Sequence, residues 1–236
     1  MPWVVTPENI AAFTRHQTGF PESQFDFDTV PMGDDDLVAI GADLEPSTLI
    51  NAYTHGLFPM PMRGKKIGWW SPAARGIVPI DGLHISHSLR KHLKRFTIRV
   101  DTCFTDVMTS CGDPNRPHGW INEDFIRAYS YLHITGWAHS VEVFRDEKLV
   151  GGVYGLRVGR LFAGESMFHT ETDASKVALV ALVALLETTG VVLFDVQWTT
   201  PHLKSLGAID IPREKYLRLL AEAQKPADSR QTTNHG

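Results

Sequence analysis

The stretch ASKVALVALVALLETTG, residues 174–190, constrains the fold more than any other part of the chain. Its apolar run VALVALVALL is about ten residues long, half of the roughly 20 that a bilayer span needs, so it predicts a buried helix. Ala178, Ala181 and Ala184 recur at helical spacing and leave one side flat enough to lie close on a sheet. The next run, VVLFDVQ, is continuously apolar up to its Asp, as in a strand covered on both faces. Ahead of the helix come AHSVEVF, LVGGVYGLRV and RLFAGESMF, separated only by RDEK and VG, which predicts an antiparallel meander.

Upstream, HISHSLRKHLKR reads as a helix, FTIRVD as a strand, and NEDFIRAYSYLHITG as a helix capped by Asn122 and stopped by Gly136. Downstream, TPHLKSLGA is a short helix with Thr200 at its N-cap, Pro201 at the first turn and Gly207 past its end. The helix REKYLRLLAEAQ closes the fold, and the polar tail from about Lys225 is expected to be disordered. This element order is that of the acetyltransferase-type (GNAT) arrangement. The expected fold class is therefore α/β (α+β), with a central mixed, mainly antiparallel sheet in a GNAT-like C-terminal domain at residues 73–236.

Residues 1–72 are rich in turn-formers, carry an acidic knot at Asp34, Asp35 and Asp36, and contain one clear helix, EPSTLINAYTHG, framed by Pro46 and Gly56. They are expected to form a small N-terminal domain. The start, MPWVVTPENI, lacks the basic and apolar regions of a signal peptide, which together with the short apolar run predicts a cytoplasmic protein with no membrane association. Cys103 and Cys111 are too few for a disulfide scaffold, and no C-x-x-C or H-E-x-x-H pattern accompanies the His residues, so no metal site is expected. With a net charge of -4, any polyanionic partner must be met by a local patch.

Four groups of residues could carry chemistry or binding. Asp195 and Gln197 stand two apart in a strand, where i and i+2 point to one side, so both are expected to look into one space. The Gln carbonyl can accept a hydrogen bond from an attacking amine and aim it, with Asp195 holding the Gln amide; Asp195 can equally be a strand-end residue that satisfies nearby backbone. Glu165, after Gly164 in an otherwise apolar strand, offers a carboxylate to a cationic substrate or simply faces solvent. Arg90, Lys91, Lys94 and Arg95 are expected on one helical face with no acid among them, which suits a phosphate backbone as well as a solvated surface. Trp69, Trp70 and Trp120 could stack on bases or belong to the core.

The segments GADLEPSTLINAYTHGLFP, WWSP, HISHSLRK, WINEDFIRAYSYLHITGWAHSVEV, LVGGVYG, FAGESMF, ASK and DVQWTTPHLKSLGA resemble, in order, the leucyl/phenylalanyl-tRNA-protein transferase family. The resemblance runs from about residue 37 to residue 215. It implies a cofactor-free monomeric enzyme that takes leucine or phenylalanine, and methionine as a further donor, from leucyl-tRNA or phenylalanyl-tRNA. The residue is joined to proteins with N-terminal Arg or Lys, marking them for N-end-rule degradation. By the same resemblance Gln197 engages the attacking amine, Asp195 supports Gln197, and Glu165 binds the basic acceptor residue. Val153, Met167, Leu179 and Phe194 line the side-chain pocket, while Tyr53, Met60, Trp120 and Tyr129 handle the terminal adenosine or nearby parts of the donor. The chain departs from the family pattern at Met60, where Trp is usual, at Val153, where Met is usual, and at His87, where Arg is usual. An acyl-CoA acetyltransferase, the rival on the same fold, should carry a Q/R-x-x-G-x-G/A loop before its central helix, and HTETDAS there has no Gly.

Overall fold

Two consecutive residues with positive φ, Asp146 at 48° and Glu147 at 60°, give the twist that folds one long strand back on the next. They join β6 (Ala138–Arg145) to β7 (Lys148–Val158), and Gly159 at φ 60° starts the turn into β8 (Leu161–His169). Both pairings are antiparallel, as the meander predicts. The computed structural model describes residues 5–115 and 120–226; the first four residues and the tail from residue 227, for which disorder is expected, lie outside the described residues.

From the N-terminus the elements are α1 (Pro7–Phe13), β1 (Leu37–Ile40), α2 (Pro46–Thr54), β2 (Phe58–Pro61), β3 (Ile67–Trp70) and β4 (Ala74–Ile77). Then come α3 (His87–Leu93), β5 (Thr97–Val100), α4 (Phe104–Cys111) and α5 (Glu123–Ile134). After β8 follow α6 (Ala174–Thr188), β9 (Leu193–Gln197), α7 (Pro201–Ser205), β10 (Ile209–Pro212) and α8 (Arg213–Ala223). Strands β1, β3 and β2 form a small sheet; the large one has the order β10-β4-β9-β8-β7-β6-β5. Among the described residues only β8 and β9 run parallel, with α6 as the crossover between them, so the sheet is mixed and mainly antiparallel in the GNAT-like manner.

Twelve of the fifteen α6 residues are buried, so it packs as a central core helix rather than an amphipathic surface one. It lies on one face of the large sheet with Val141, Val153, Phe162, Phe194 and Val196. The opposite face packs against α4, α5 and α8 and also receives Leu49, Tyr53, Leu57 and Trp69 from the N-terminal quarter. Phe13 of α1 joins the α6 side. The two halves of the chain therefore share apolar cores on both faces of the sheet. Among the described residues no helix is long and apolar enough to cross a membrane, and Cys103 and Cys111 form no disulfide.

Candidate active site

The parallel pairing of β8 with β9 stops at Ala163 and Asp195, and each strand is irregular just beyond. On β8 the register with β7 steps from Tyr154 opposite Ser166 to Gly155 opposite Gly164, which leaves Glu165 as an extra, unpaired residue. On β9 the register with β4 steps from Ile77 opposite Asp195 to Gly76 opposite Gln197, leaving Val196 extra. Such bulges re-aim side chains. Gln197 is turned further by its left-handed backbone, φ 58°.

Beside this break lies a cavity of about 520 Å³. Val153, Met167, Leu179 and Phe194 make its apolar wall, with Met60 and Trp120 also lining it, so the expected pocket residues converge here. Glu165 and Gln197 line the same space, and Gln197 Nε2 donates to Glu165 Oε1 at 3.3 Å. Trp198, Phe58 and His202, which the sequence reading did not single out, also line it. A larger cavity, about 650 Å³, lies against α5 and is lined by Lys65, Lys66, Asp124 and Arg127 but by none of these site residues.

Asp195 corrects the sequence expectation. Phe194 and Val196 face α6 and the cavity, so strand alternation sends Asp195 to the other side. There it is completely buried. Arg75 Nε and Nη2 donate to its two oxygens at 2.8 and 2.6 Å, and Tyr216 Oη donates to Oδ2 at 3.0 Å. Its one link to Gln197 is through the backbone, Gln197 N–H to Oδ1 at 2.9 Å; the Gln197 side-chain amide goes to Glu165 instead. Asp195 and Gln197 share a cavity wall only in the sense that Asp195 sets the backbone from which Gln197 projects.

Arg75 went unread in the sequence, although an arginine inside ARGIVPI calls for a buried partner. Its Nη1 donates to the carbonyl of Gly56 at 2.9 Å, and its guanidinium lies 4.9 Å from the Phe58 ring and 4.3 Å from the Tyr216 ring. Burial disfavours its charge, but the Asp195 carboxylate and the Tyr216 and Tyr53 side chains together outweigh that and leave Arg75 more basic than usual.

Tyr53 and Tyr129 are also placed differently from the expectation that they meet the donor. Both are buried and absent from the cavity wall. Tyr53 Oη donates to Glu165 Oε1 at 2.6 Å and stands 2.7 Å from Tyr129 Oη. With its own proton on Glu165, Tyr53 must accept from Tyr129. Burial, followed by the charge of Glu165, raises both phenol pKa values well above the ordinary range, so both remain donors. Burial also pushes the Glu165 carboxyl up to about 8, with the Tyr53 hydrogen bond pulling the other way.

The basic residues are exposed, but α3 ends at Leu93. Lys94 is its C-cap and Arg95 follows in a turn, so the expected four-residue helical face is a helix end carrying Arg90 and Lys91 plus two cations beyond it. His87 sits in the first turn, exposed. Trp69 is a core residue whose Nε1 donates to the Gly41 carbonyl at 2.8 Å, and Trp70 is half-buried. Among the described residues no three His, Cys, Asp or Glu side chains are grouped to hold a metal ion.

Family models extend over both parts of the chain. The model for leucyl/phenylalanyl-tRNA protein transferase matches residues 77–221, and that for the N-terminal domain of the same transferase matches residues 42–73. The chain belongs to this family. Curated relatives named leucyl/phenylalanyl-tRNA–protein transferase include that of Tolumonas auensis, 47% identical over 193 residues, covering 80% of this chain and 82% of the relative. That of Shewanella baltica is 44% identical over 223 residues and covers 92% of each. Among solved structures, FemX is similar at 11% identity and a TM-score of 0.43, covering 74% of this chain and 70% of that one. An aminoglycoside acetyltransferase from a soil metagenome is similar at 10% identity and a TM-score of 0.36, over 61% of this chain and 95% of that one. As a member of the leucyl/phenylalanyl-tRNA protein transferase family the chain is an aminoacyltransferase.

Proposed function

We propose that the chain transfers leucine or phenylalanine, with methionine as a further donor, from aminoacyl-tRNA to the α-amino group of proteins beginning with Arg or Lys, in the cytoplasm, marking them for N-end-rule degradation. The observation that carries this reading is the hydrogen-bonded pair of Glu165 and Gln197 on the wall of an otherwise largely apolar cavity. The apolar wall of Val153, Met167, Leu179 and Phe194 suits a leucine or phenylalanine side chain. Met60 and Trp120 on the same cavity suit the terminal adenosine, by sulfur contact and stacking. Arg90, Lys91, Lys94 and Arg95 suit tRNA phosphates.

The aminoacyl ester is already activated, and an α-amino group of pKa about 7.7 to 8 is partly neutral near pH 7. Orientation and electrostatics then suffice. With its amide nitrogen on Glu165, Gln197 has its carbonyl oxygen left to accept from the amine and aim the lone pair at the ester carbonyl. The new amide bond forms as the bond to the tRNA ribose oxygen breaks, and the proton that the amine gives up ends on that ribose oxygen as its hydroxyl. Glu165 takes the positive charge of the acceptor's Arg or Lys side chain. Asp195, locked to Arg75, acts by positioning Gln197 and not as a proton acceptor.

The test is transfer from radiolabelled leucyl-tRNA to peptides that begin with Arg, Lys or Ala. Labelling of the first two at ten- to hundredfold higher kcat/KM than the third is expected, from the roughly 1.5 to 3 kcal/mol of a charge-assisted hydrogen bond. Equal labelling of Arg and Ala peptides would sink the acceptor assignment.

A further inference from the structure

Away from the β8–β9 break, a smaller cavity of about 200 Å³ is lined by the segment after α1, the start of β6 and the end of β7. Phe13, Arg15, Gln17, His139 and Arg157 line it, and none of these lines the aminoacyl cavity. The N-terminal segment is laced over it: Gln17 Nε2 donates to the Arg157 carbonyl at 2.7 Å, and Thr18 N–H donates to the Thr135 carbonyl at 2.9 Å. Gly136, at φ 86°, lets that segment pass, because a Cβ there would stand 2.3 Å from the His16 carbonyl oxygen.

His139 is 1% exposed. Its Nδ1 faces Asp101 Oδ2 at 2.7 Å, and the Phe13 ring covers it with centroids 4.7 Å apart. Nε2, on the opposite edge of the imidazole, is buried with no partner among the described residues, and the same holds for Arg15 Nε. Buried polar atoms of this kind are uncommon without a ligand or water to meet them. Charge says which. Arg15 and Arg157 bring two cations, and the nearest carboxylate, Asp101, is 3.8 Å from Arg15 and already engaged by His139 and the Ser140 N–H. Among the described residues the Arg157 guanidinium donates to the carbonyls of Phe13 and Thr189 and to no carboxylate, and burial lowers its basicity. The cavity is therefore short of negative charge.

We propose that this cavity is a binding site for a small phosphate-class oxyanion, either inorganic phosphate or the phosphate of a monoester, held by Arg15 and His139 beside Arg157. A hydrogen phosphate meets both orphaned atoms whatever the imidazole carries. Its oxygens accept from Arg15 Nε–H, while its hydroxyl donates to a neutral Nε2 or its oxygen accepts from a protonated one. At about 30 Å³ per water molecule, the space holds the anion with a few waters around it.

The test is titration of inorganic phosphate into the full-length protein at constant ionic strength held with sodium chloride, read by Tm, by calorimetry and by the ¹⁵N resonances of labelled histidine. A saturable rise in Tm is expected, with one site by calorimetry and a shift of His139 Nε2 that titrates with the same Kd. Arg15→Gln and His139→Gln should each weaken phosphate at least tenfold. Reversing the four cations of and after α3 should leave the Kd unchanged. Because Arg15 also donates to the His133 and Ala138 carbonyls, its variant could lose stability, and the histidine resonance of the wild type decides independently. A His139 Nε2 signal unmoved by phosphate, or binding abolished by the α3 reversal alone, would overturn the proposal and leave a cavity filled by water. Glycerol phosphate binding with the same His139 shift would support a monoester as the occupant; its failure beside successful phosphate binding would support the free ion.

Discussion

With its carboxyl held up to about 8 by burial, Glu165 meets a basic acceptor near neutrality mostly as the neutral acid. Pairing with Arg or Lys then requires loss of that proton, so affinity for such acceptors should fall by up to about tenfold per pH unit below about 8. The α-amino group titrates in the same range, but it cancels in a ratio. Transfer to a peptide starting with Arg, divided by transfer to one starting with norleucine, should climb between pH 6 and pH 8 and level off above. In Glu165→Gln the ratio should be flat and low; a flat ratio in the wild type would remove Glu165 from acceptor recognition. For stability the sign is opposite: the folded state holds this proton more tightly than the unfolded chain at 4.5, so the contribution is full below 4.5 and is lost as pH rises to about 8. Asp195 calls for another experiment. Asp195→Asn would leave Arg75 buried without its counter-charge, and urea unfolding should show a loss of about 3 to 5 kcal/mol. Gln197→Ala, which removes only the cavity-facing amide, should keep its stability within about 1 kcal/mol while single-turnover transfer falls ten- to a thousandfold. Glu165, Asp195 and Gln197 were legible because polar residues interrupt apolar strands. That Asp195 faces away was not, because the alternation argument assumed a regular strand and Gln197 has a left-handed backbone.

Elements that carry a period, a turn or a cap announced themselves, and most short ones without such a mark did not. The meander, α6 and α7 carry periodicity, turn chemistry or caps that can be read from one chain, and α7 has the Thr200 side chain accepting from Leu203 N–H as its TPHL start suggests. Helices α1 and α4, of seven and eight residues, and the four-residue strands β1 to β5 and β10 are mostly too short for a pattern to rise above its surroundings; of these only β5 was read, in FTIRVD. The two bulges were invisible for a different reason: register is a property of a pair of strands, and Glu165 becomes an extra residue only opposite Tyr154 and Gly155. Helix α3 lies between these cases, since its Ser86 cap was there to be read but its end at Leu93 was not. Its cations still form one exposed cluster in a chain of net charge -4. Reversing Arg90, Lys91, Lys94 and Arg95 to Glu should lower transfer from intact aminoacyl-tRNA and flatten its salt dependence, yet hardly alter transfer from a short aminoacyl-adenosine. Equal loss on both donors would place the cluster's effect in folding rather than in tRNA docking.

Composition shifts near residue 72, and the small sheet ends at Trp70, but the packing does not divide there. Tyr53 of α2 donates to Glu165 on β8, and Arg75 of β4 donates to the carbonyl of Gly56. Leu49, Leu57 and Trp69 share one apolar cluster with Phe125, Tyr154 and Tyr216, while Phe13 is buried on the opposite side against Phe162. A polypeptide of residues 73–236 would therefore expose that cluster, strip Glu165 of its Tyr53 hydrogen bond, and leave the Arg75–Asp195 pair open to water at the Gly56 side. Each large side chain uncovered loses about 1.5 to 3 kcal/mol of burial, and several are uncovered at once against a total stability of roughly 5 to 15 kcal/mol. The expected outcome is that the truncated chain fails to unfold cooperatively and shows no transfer, whereas the full chain melts in a single calorimetric transition with matching van't Hoff and calorimetric enthalpies. Adding residues 1–72 in trans should not restore the reaction, because Leu49, Tyr53, Leu57 and Trp69 would have to find their places in an apolar cluster that neither piece holds together alone. Two separate transitions in the full chain, or an active 73–236 fragment, would mean that the shared cores contribute little and that the first 72 residues are an independent unit.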